Sequence, residues 1–148
     1  MTQLVSIRRE AGISIVINGV LSLAFFLGVF GTTPCALNWA APDNLALDFI
    51  PQSIAVALMS ALVPALIARK RLGNTRALRP ILIRAALFAL AGGALGGVLA
   101  FSIDSVAVPT IAWGTALTIK IAYGGALGAL VATLALRRLL SSAQYISK

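Results

Sequence analysis

Lys120 lies seven residues after Trp113, in a stretch from Ile111 to Leu136 that carries no other charge. An ammonium in such a run must find a partner or reach an interface, because a charge at the centre of a bilayer costs about 3 kcal/mol on insertion scales. At helical rise, Lys120 sits ~10 Å inward of Trp113. The acids that can reach it are Asp48, at the head of an earlier apolar run with Gln52 one turn later, and Asp104, at the tail of another. Coming from the outer ends of three helices, Lys120, Asp48, Asp104 and Gln52 would form an outward-open polar pocket. Such a pocket suits an anionic head group or solute, or a proton exchanged between lysine and carboxylate. The same residues also describe a structural ion pair that fixes helix register, and the sequence leaves both readings open.

A second polar constellation is neutral. Ser14, Asn18 and Ser22 recur at intervals of four and share one helix face. Pro64 lacks an amide hydrogen and frees the carbonyl of Ser60. Asn18 follows Arg9 by nine residues and Ser60 precedes Arg69 by nine, so both lie ~13 Å from basic anchors. Asn18 is therefore expected to satisfy the kinked backbone at Ser60, the alternative being an amide that faces a substrate.

The remaining chemistry is sparse. The chain has no His, one Cys and four acidic residues, which leaves no material for a histidine base, an axial haem histidine or a zinc cluster. No P-loop, dinucleotide fingerprint or nucleophile elbow is present. The expectation is a non-enzyme without cofactor or metal. Cys35 has no intramolecular disulfide partner; it is either an incidental thiol or a bridge between subunits.

These residues are carried by a chain that is 59% hydrophobic and 11% charged, with a mean hydropathy of +0.98. A soluble domain carries about 25% charged residues. Four apolar stretches, approximately 11–30, 49–68, 85–103 and 111–136, each match the ~20 residues needed to cross a hydrocarbon core. The expected fold is an all-α integral membrane protein, a single domain over 1–148 forming a four-transmembrane-helix bundle with short loops. Pro51 suits the first turn of the second span. The first apolar run exceeds the ~7–15 residues of a cleavable signal core and is kept as a span.

Eleven of the 12 basic residues lie at one set of span ends: Arg8 and Arg9, then a basic loop over 69–84 with Arg69, Lys70, Arg71, Arg76, Arg79 and Arg84, then Arg137, Arg138 and Lys148. The alternate loops hold Asp43, Asp48 and Asp104 and no base. The positive-inside rule then places both termini in the cytoplasm of a bacterial-type inner membrane, with Trp39 and Trp113 at the outer interface. This bias argues against dual-topology exporters. The net charge of +8 is a membrane signal rather than a nucleic-acid one, with the 69–84 bases as candidate contacts for anionic lipid at ~1 kcal/mol each.

Residues 91–100 and 123–132 are near-repeats offset by 32 positions, a remnant of duplication or the same membrane vocabulary used twice. Gly92, Gly93, Gly96, Gly97, Gly124 and Gly128 form small-xxx-small pairs that permit close backbone approach. Spans three and four are expected to pack on each other through them, with glycines to spare for a second contact. Two functional hypotheses follow. One is an accessory, assembly or lipid-interacting subunit, working with a homo-oligomer or a larger membrane partner. The other is an oligomeric small-solute transporter or channel subunit built around Lys120.

Overall fold

The computed structural model describes residues 7–71, 77–106 and 110–145, for 7, 8, 10, 68, 71 and 138–145 the backbone alone. Among the predicted basic contacts, the side chain of Arg71 and all of Arg76 lie outside the described residues. The chain runs through α1 (Ile7–Phe30), a short strand β1 (Ala36–Asn38), α2 (Phe49–Arg71), α3 (Leu78–Ser105), a second short strand β2 (Thr110–Ala112) and α4 (Trp113–Tyr145). Each helix contains a segment long and apolar enough to cross a membrane: Ala11–Phe30, Phe49–Ile67, Leu78–Ser105 and Trp113–Arg137.

The first two spans fall where the hydropathy pattern predicts them, and the last two differ. α3 begins at Leu78 rather than at 85, after Ala77 in extended geometry. Pro80 occupies its first turn, where the missing amide is unpaired in any helix. Arg79 and Arg84 are therefore helical residues, and Arg69 and Lys70 belong to the end of α2, so the basic segment 69–84 is mostly helix. α4 begins at Trp113 because 110–112 are taken up by β2.

The expectation that the third and fourth spans pack on each other is corrected by the structure. α3 packs on α2 and α4 packs on α1, with α2 also against α4; α3 and α4 meet marginally at most. In space the helices run α3, α2, α4, α1. The glycines face these other neighbours. A methyl group at Gly92 would stand 2.6 Å from the Ser53 carbonyl oxygen and 2.8 Å from the Ala57 Cβ, and one at Gly96 would stand 2.5 Å from the Phe49 carbonyl oxygen. Gly93 lies against the Ile54 side chain, Gly124 against Ser22 and Gly128 against Asn18, while Gly97 faces open space. The two glycine repeats thus open two separate antiparallel contacts, α3 to α2 and α4 to α1. Local spacing shows that a helix has a groove; it does not show which helix fills it.

At the acidic end the loops are structured. β1 and β2 pair antiparallel with Ala36 opposite Ala112, Leu37 opposite Ile111 and Asn38 opposite Thr110, and the Trp113 amide donates to the Cys35 carbonyl at 3.1 Å. Gly31, at φ +71°, closes α1 by donating to the Leu27 carbonyl, the left-handed cap that glycine adopts without strain. The Asn38 amide and Nδ2 donate to Asp43 at 2.8 and 2.9 Å and hold its carboxyl below the ordinary carboxylate range. Beneath the ladder, Phe26, Leu37, Leu45 and Ala116 form one buried cluster, joined by Trp39 and Trp113. A second cluster of Val56, Ala57, Ala61, Ala85, Leu127 and Val131 centres on α2 nearer the basic end.

This packing separates the glycines by consequence. Gly96→Leu is expected to lower stability in detergent by about 3 kcal/mol, since the added side chain meets α2 backbone rather than a yielding side chain. Gly97→Leu is expected to stay within about 0.5 kcal/mol. Thermal denaturation of the two variants side by side checks the assignment, and equal melting would contradict it.

Candidate functional site

The polar interior is built where α4 crosses the head of α2. Asp48 immediately precedes α2 and takes the N-cap place, where the positive end of the helix dipole favours a carboxylate. Its Oδ2 lies 2.9 Å from Lys120 Nζ, and the two side chains are 10% and 2% exposed. The Phe49 ring covers the ammonium, with its centroid 3.6 Å from Nζ, within the range of an attractive cation–π contact. Tyr123 then packs edge-on against Phe49, ring centroids 5.0 Å apart. Lys120 is thus neutralised on one side and roofed by an aromatic face on another.

Gln52, one turn after Asp48, extends the layer sideways. Its Nε2 donates to Ser22 Oγ at 3.0 Å and to the Lys120 carbonyl at 2.9 Å. One amide therefore ties α1, α2 and α4 together at the level of the ion pair. Ser53 and Tyr123 join through their hydroxyls at 2.6 Å, so the layer reaches the face of α2 on which α3 rests.

The second polar layer lies toward the basic end. Asn18 Nδ2 donates to the Ser14 carbonyl at 2.8 Å, to Ser14 Oγ at 3.0 Å and to Ser60 Oγ at 2.9 Å. Asn18 and Ser60 meet, as their equal depth predicts. The expected acceptor is corrected, because Asn18 reaches the Ser60 hydroxyl and not the carbonyl freed by Pro64. Ser14, Asn18, Ser22, Gln52, Ser53, Ser60 and Lys120 are all buried.

Asp104 is the residue that the structure leaves out. It is exposed near the end of α3 and borders a surface depression with Trp39, Asn44 and Phe101, so Lys120 has Asp48 and not Asp104 as its acid. The four-residue outward pocket expected from sequence is reduced to Lys120, Asp48 and Gln52. Those three residues do not border that depression, the α2–α3–α4 groove around Ala61 and Arg84, or the α1–α2 crevice around Asn18.

Two contributors, Phe49 and Tyr123, are not evident from the sequence reading. Both carry a local signal: Phe49 directly follows the acid, and Tyr123 lies three residues after Lys120 on the same helical face. Two acceptors inside the site, Asn18 Oδ1 and Gln52 Oε1, are buried without a hydrogen-bond partner. Among the described residues no group of three or more His, Cys, Asp or Glu could hold a metal ion.

Removing one partner of a buried pair leaves an uncompensated charge and typically costs about 3–5 kcal/mol, while replacing both with apolar groups is close to neutral. Lys120→Met and Asp48→Asn are each expected to be strongly destabilised, and Lys120→Met with Asp48→Leu to recover most of the loss. A double-mutant cycle by thermal melting in detergent measures this; additive losses would show that the two residues are energetically separate. Family models, curated proteins and solved structures offer no match to this chain.

Proposed function

We propose that this protein is a small multi-pass protein of a bacterial-type inner membrane, with both termini in the cytoplasm, acting as an accessory, assembly or lipid-interacting subunit without its own catalytic centre. The observation that carries this reading is the closed state of the Lys120–Asp48 pair. The one buried charged side chain among the described residues, Lys120, is already neutralised, covered by Phe49 and locked through Gln52. The most reactive groups of the interior are used to hold three helices in register.

The orientation rests on charge. Arg9, Arg69, Lys70, Arg79, Arg84 and Arg137 belong to one set of helix ends, while Asp43, Asp48 and Asp104 belong to the other, and the positive-inside rule assigns the first set to the cytoplasm. The glycine-lined contacts support a compact subunit with small side chains at its interfaces. Exposed apolar residues on α3, among them Leu87, Leu90, Val98 and Phe101, suit lipid or a membrane partner.

A second reading, an oligomeric small-solute transporter or channel subunit, has one observation in its favour. Asn18 Oδ1 and Gln52 Oε1 are buried acceptors without donors, and a permeating group could supply them.

Two experiments test these readings. Cys35 is the only cysteine and is exposed, so a membrane-impermeant maleimide should label it in intact cells. A cysteine placed at Ser141 in a Cys35→Ala background should be labelled only after permeabilisation; the reverse pattern would invert the topology. Native mass spectrometry of gently extracted protein should find it with a stoichiometric larger partner. A homo-oligomer that retains an anionic small molecule, lost in Lys120→Met, would favour transport instead.

A further inference from the structure

Because α3 rests on α2 and not on α4, a gap remains between α3 and α4, floored by α2. Its lining includes Ala61 and Ala65 of α2, Ala135 of α4, and Leu87 and Phe88 of α3, with Arg84 on its rim. Alanine at these places leaves a volume of about 230 Å³. An apolar cavity of about 150 Å³ already accommodates a benzene-sized molecule.

The polarity of the groove has a direction. Arg84 precedes Leu87 and Phe88 by three and four residues, so all three lie on one face of α3, with the guanidinium toward the basic end and the apolar walls running inward. Arg84 is exposed and has no acidic partner among the described side chains, whose carboxylates Asp43, Asp48 and Asp104 belong to the far end; the side chain of Glu10, the fourth acid, lies outside the described residues. The groove is also short. Its α3 lining extends from Ile81 to Ala91, which spans ~15 Å, or one leaflet of a ~30 Å core. It ends where Gly92 closes onto Ser53 and Ala57. A transmembrane helix would need the full span, whereas a lipid chain needs one leaflet.

We infer that this groove is a binding site for one anionic phospholipid of the leaflet at the basic end, with an acyl chain on the alanine floor and the phosphate on Arg84. The inference rests on the proposed orientation and membrane insertion, and it replaces a diffuse basic surface by one residue and one groove. Arg79, five residues earlier and turned away from Arg84 around the helix, has no part in it.

The test places the protein in nanodiscs of equal phosphatidylglycerol and phosphatidylcholine with identical acyl chains, and reads retained lipid by native mass spectrometry. One phosphatidylglycerol should be retained in about fivefold preference over phosphatidylcholine, the ratio equivalent to one basic contact with an anionic head group. Arg84→Gln should abolish the preference, and Arg79→Gln should preserve it. Ala61→Leu with Ala65→Leu should strip the retained lipid while Arg84 remains. If that variant does not fold, phosphatidylglycerol with a photoreactive acyl chain should crosslink the wild-type protein at 81–91 and 135.

Equal retention of both lipids, or equal loss of preference in Arg79→Gln and Arg84→Gln, would overturn the site in favour of diffuse attraction. Crosslinks elsewhere would overturn it as well. Conversion of a dimer to a monomer by the alanine variant would show that a second copy of the chain fills the groove. These ratios are read separately from Cys35 labelling and from partner capture, so a failed lipid site and a failed accessory role give different results.

Discussion

Lys120 is 1% exposed on a helix apolar enough to cross a membrane, and its charge constrains the rest of the structure. The carboxylate must be brought to it, and it arrives on Asp48, the last residue before α2. The connection from α1 therefore has to end at a fixed point. Successive backbone bonds tighten it, from the Leu45 amide to the Asn38 carbonyl, Ala46 to Trp39 and Asp48 to Asn44, and Leu45 and Ala46 are buried beneath. The two-stranded ladder fixes the start of α4 against the same loop. A three-residue strand has little stability of its own. Here it sits over Phe26, Leu37 and Leu45, and it holds the two loops that set the ion pair.

In a membrane-spanning arrangement each buried donor needs an internal partner; the two interior amides show how this is met, whereas the Trp39 and Trp113 indole N–H groups near the acidic end are buried without one. Asn18 and Gln52 place their N–H groups on five acceptors in all, four of which come from Ser14, Ser22 and Ser60. Their carbonyl oxygens stay unpaired. An under-satisfied carbonyl is more common in native structures than an orphaned N–H. The serines supply small, rotatable acceptors on the faces where α1, α2 and α4 meet, so the helices can approach without large polar side chains between them.

The parts of this arrangement that were readable in the sequence are those that depend on depth along one helix. Asn18 and Ser60 share a depth because each is nine residues from an arginine, and Lys120 is within reach of Asp48 because its long side chain extends from seven residues past Trp113 back to the acidic end, where Asp48 stands before α2. Spatial neighbourhood was not readable in the same way. Asp104 has a suitable depth for Lys120, but α3 lies on the far side of α2, so the acid is out of place. The strands leave no signal because three residues are too few to show an alternating pattern, and Arg79 and Arg84 interrupt the apolar pattern over the first turns of α3.

The near-repeat of α3 and α4 shows how far a local pattern can diverge in use. Without a hydrophobic driving force between helices in lipid, association depends on close packing and on interhelical hydrogen bonds. Gly92 and Gly124 occupy equivalent places in the repeat, but Gly92 lies against a carbonyl and a methyl group of α2, and Gly124 against the Ser22 hydroxyl of α1. The α4 copy therefore sits in the polar layer and is covered on two sides, with 50% of its span buried. The α3 copy has one neighbour and only 17% of its span buried. α4 is held on two sides because its repeat is preceded by Lys120, whose charge draws in the head of α2 while the glycines admit α1. No charge at the corresponding position holds α3, where Phe88 stands four residues before Gly92 as Lys120 stands four before Gly124. The apolar ring there packs against the α2-centred cluster instead and lines the open groove between α3 and α4.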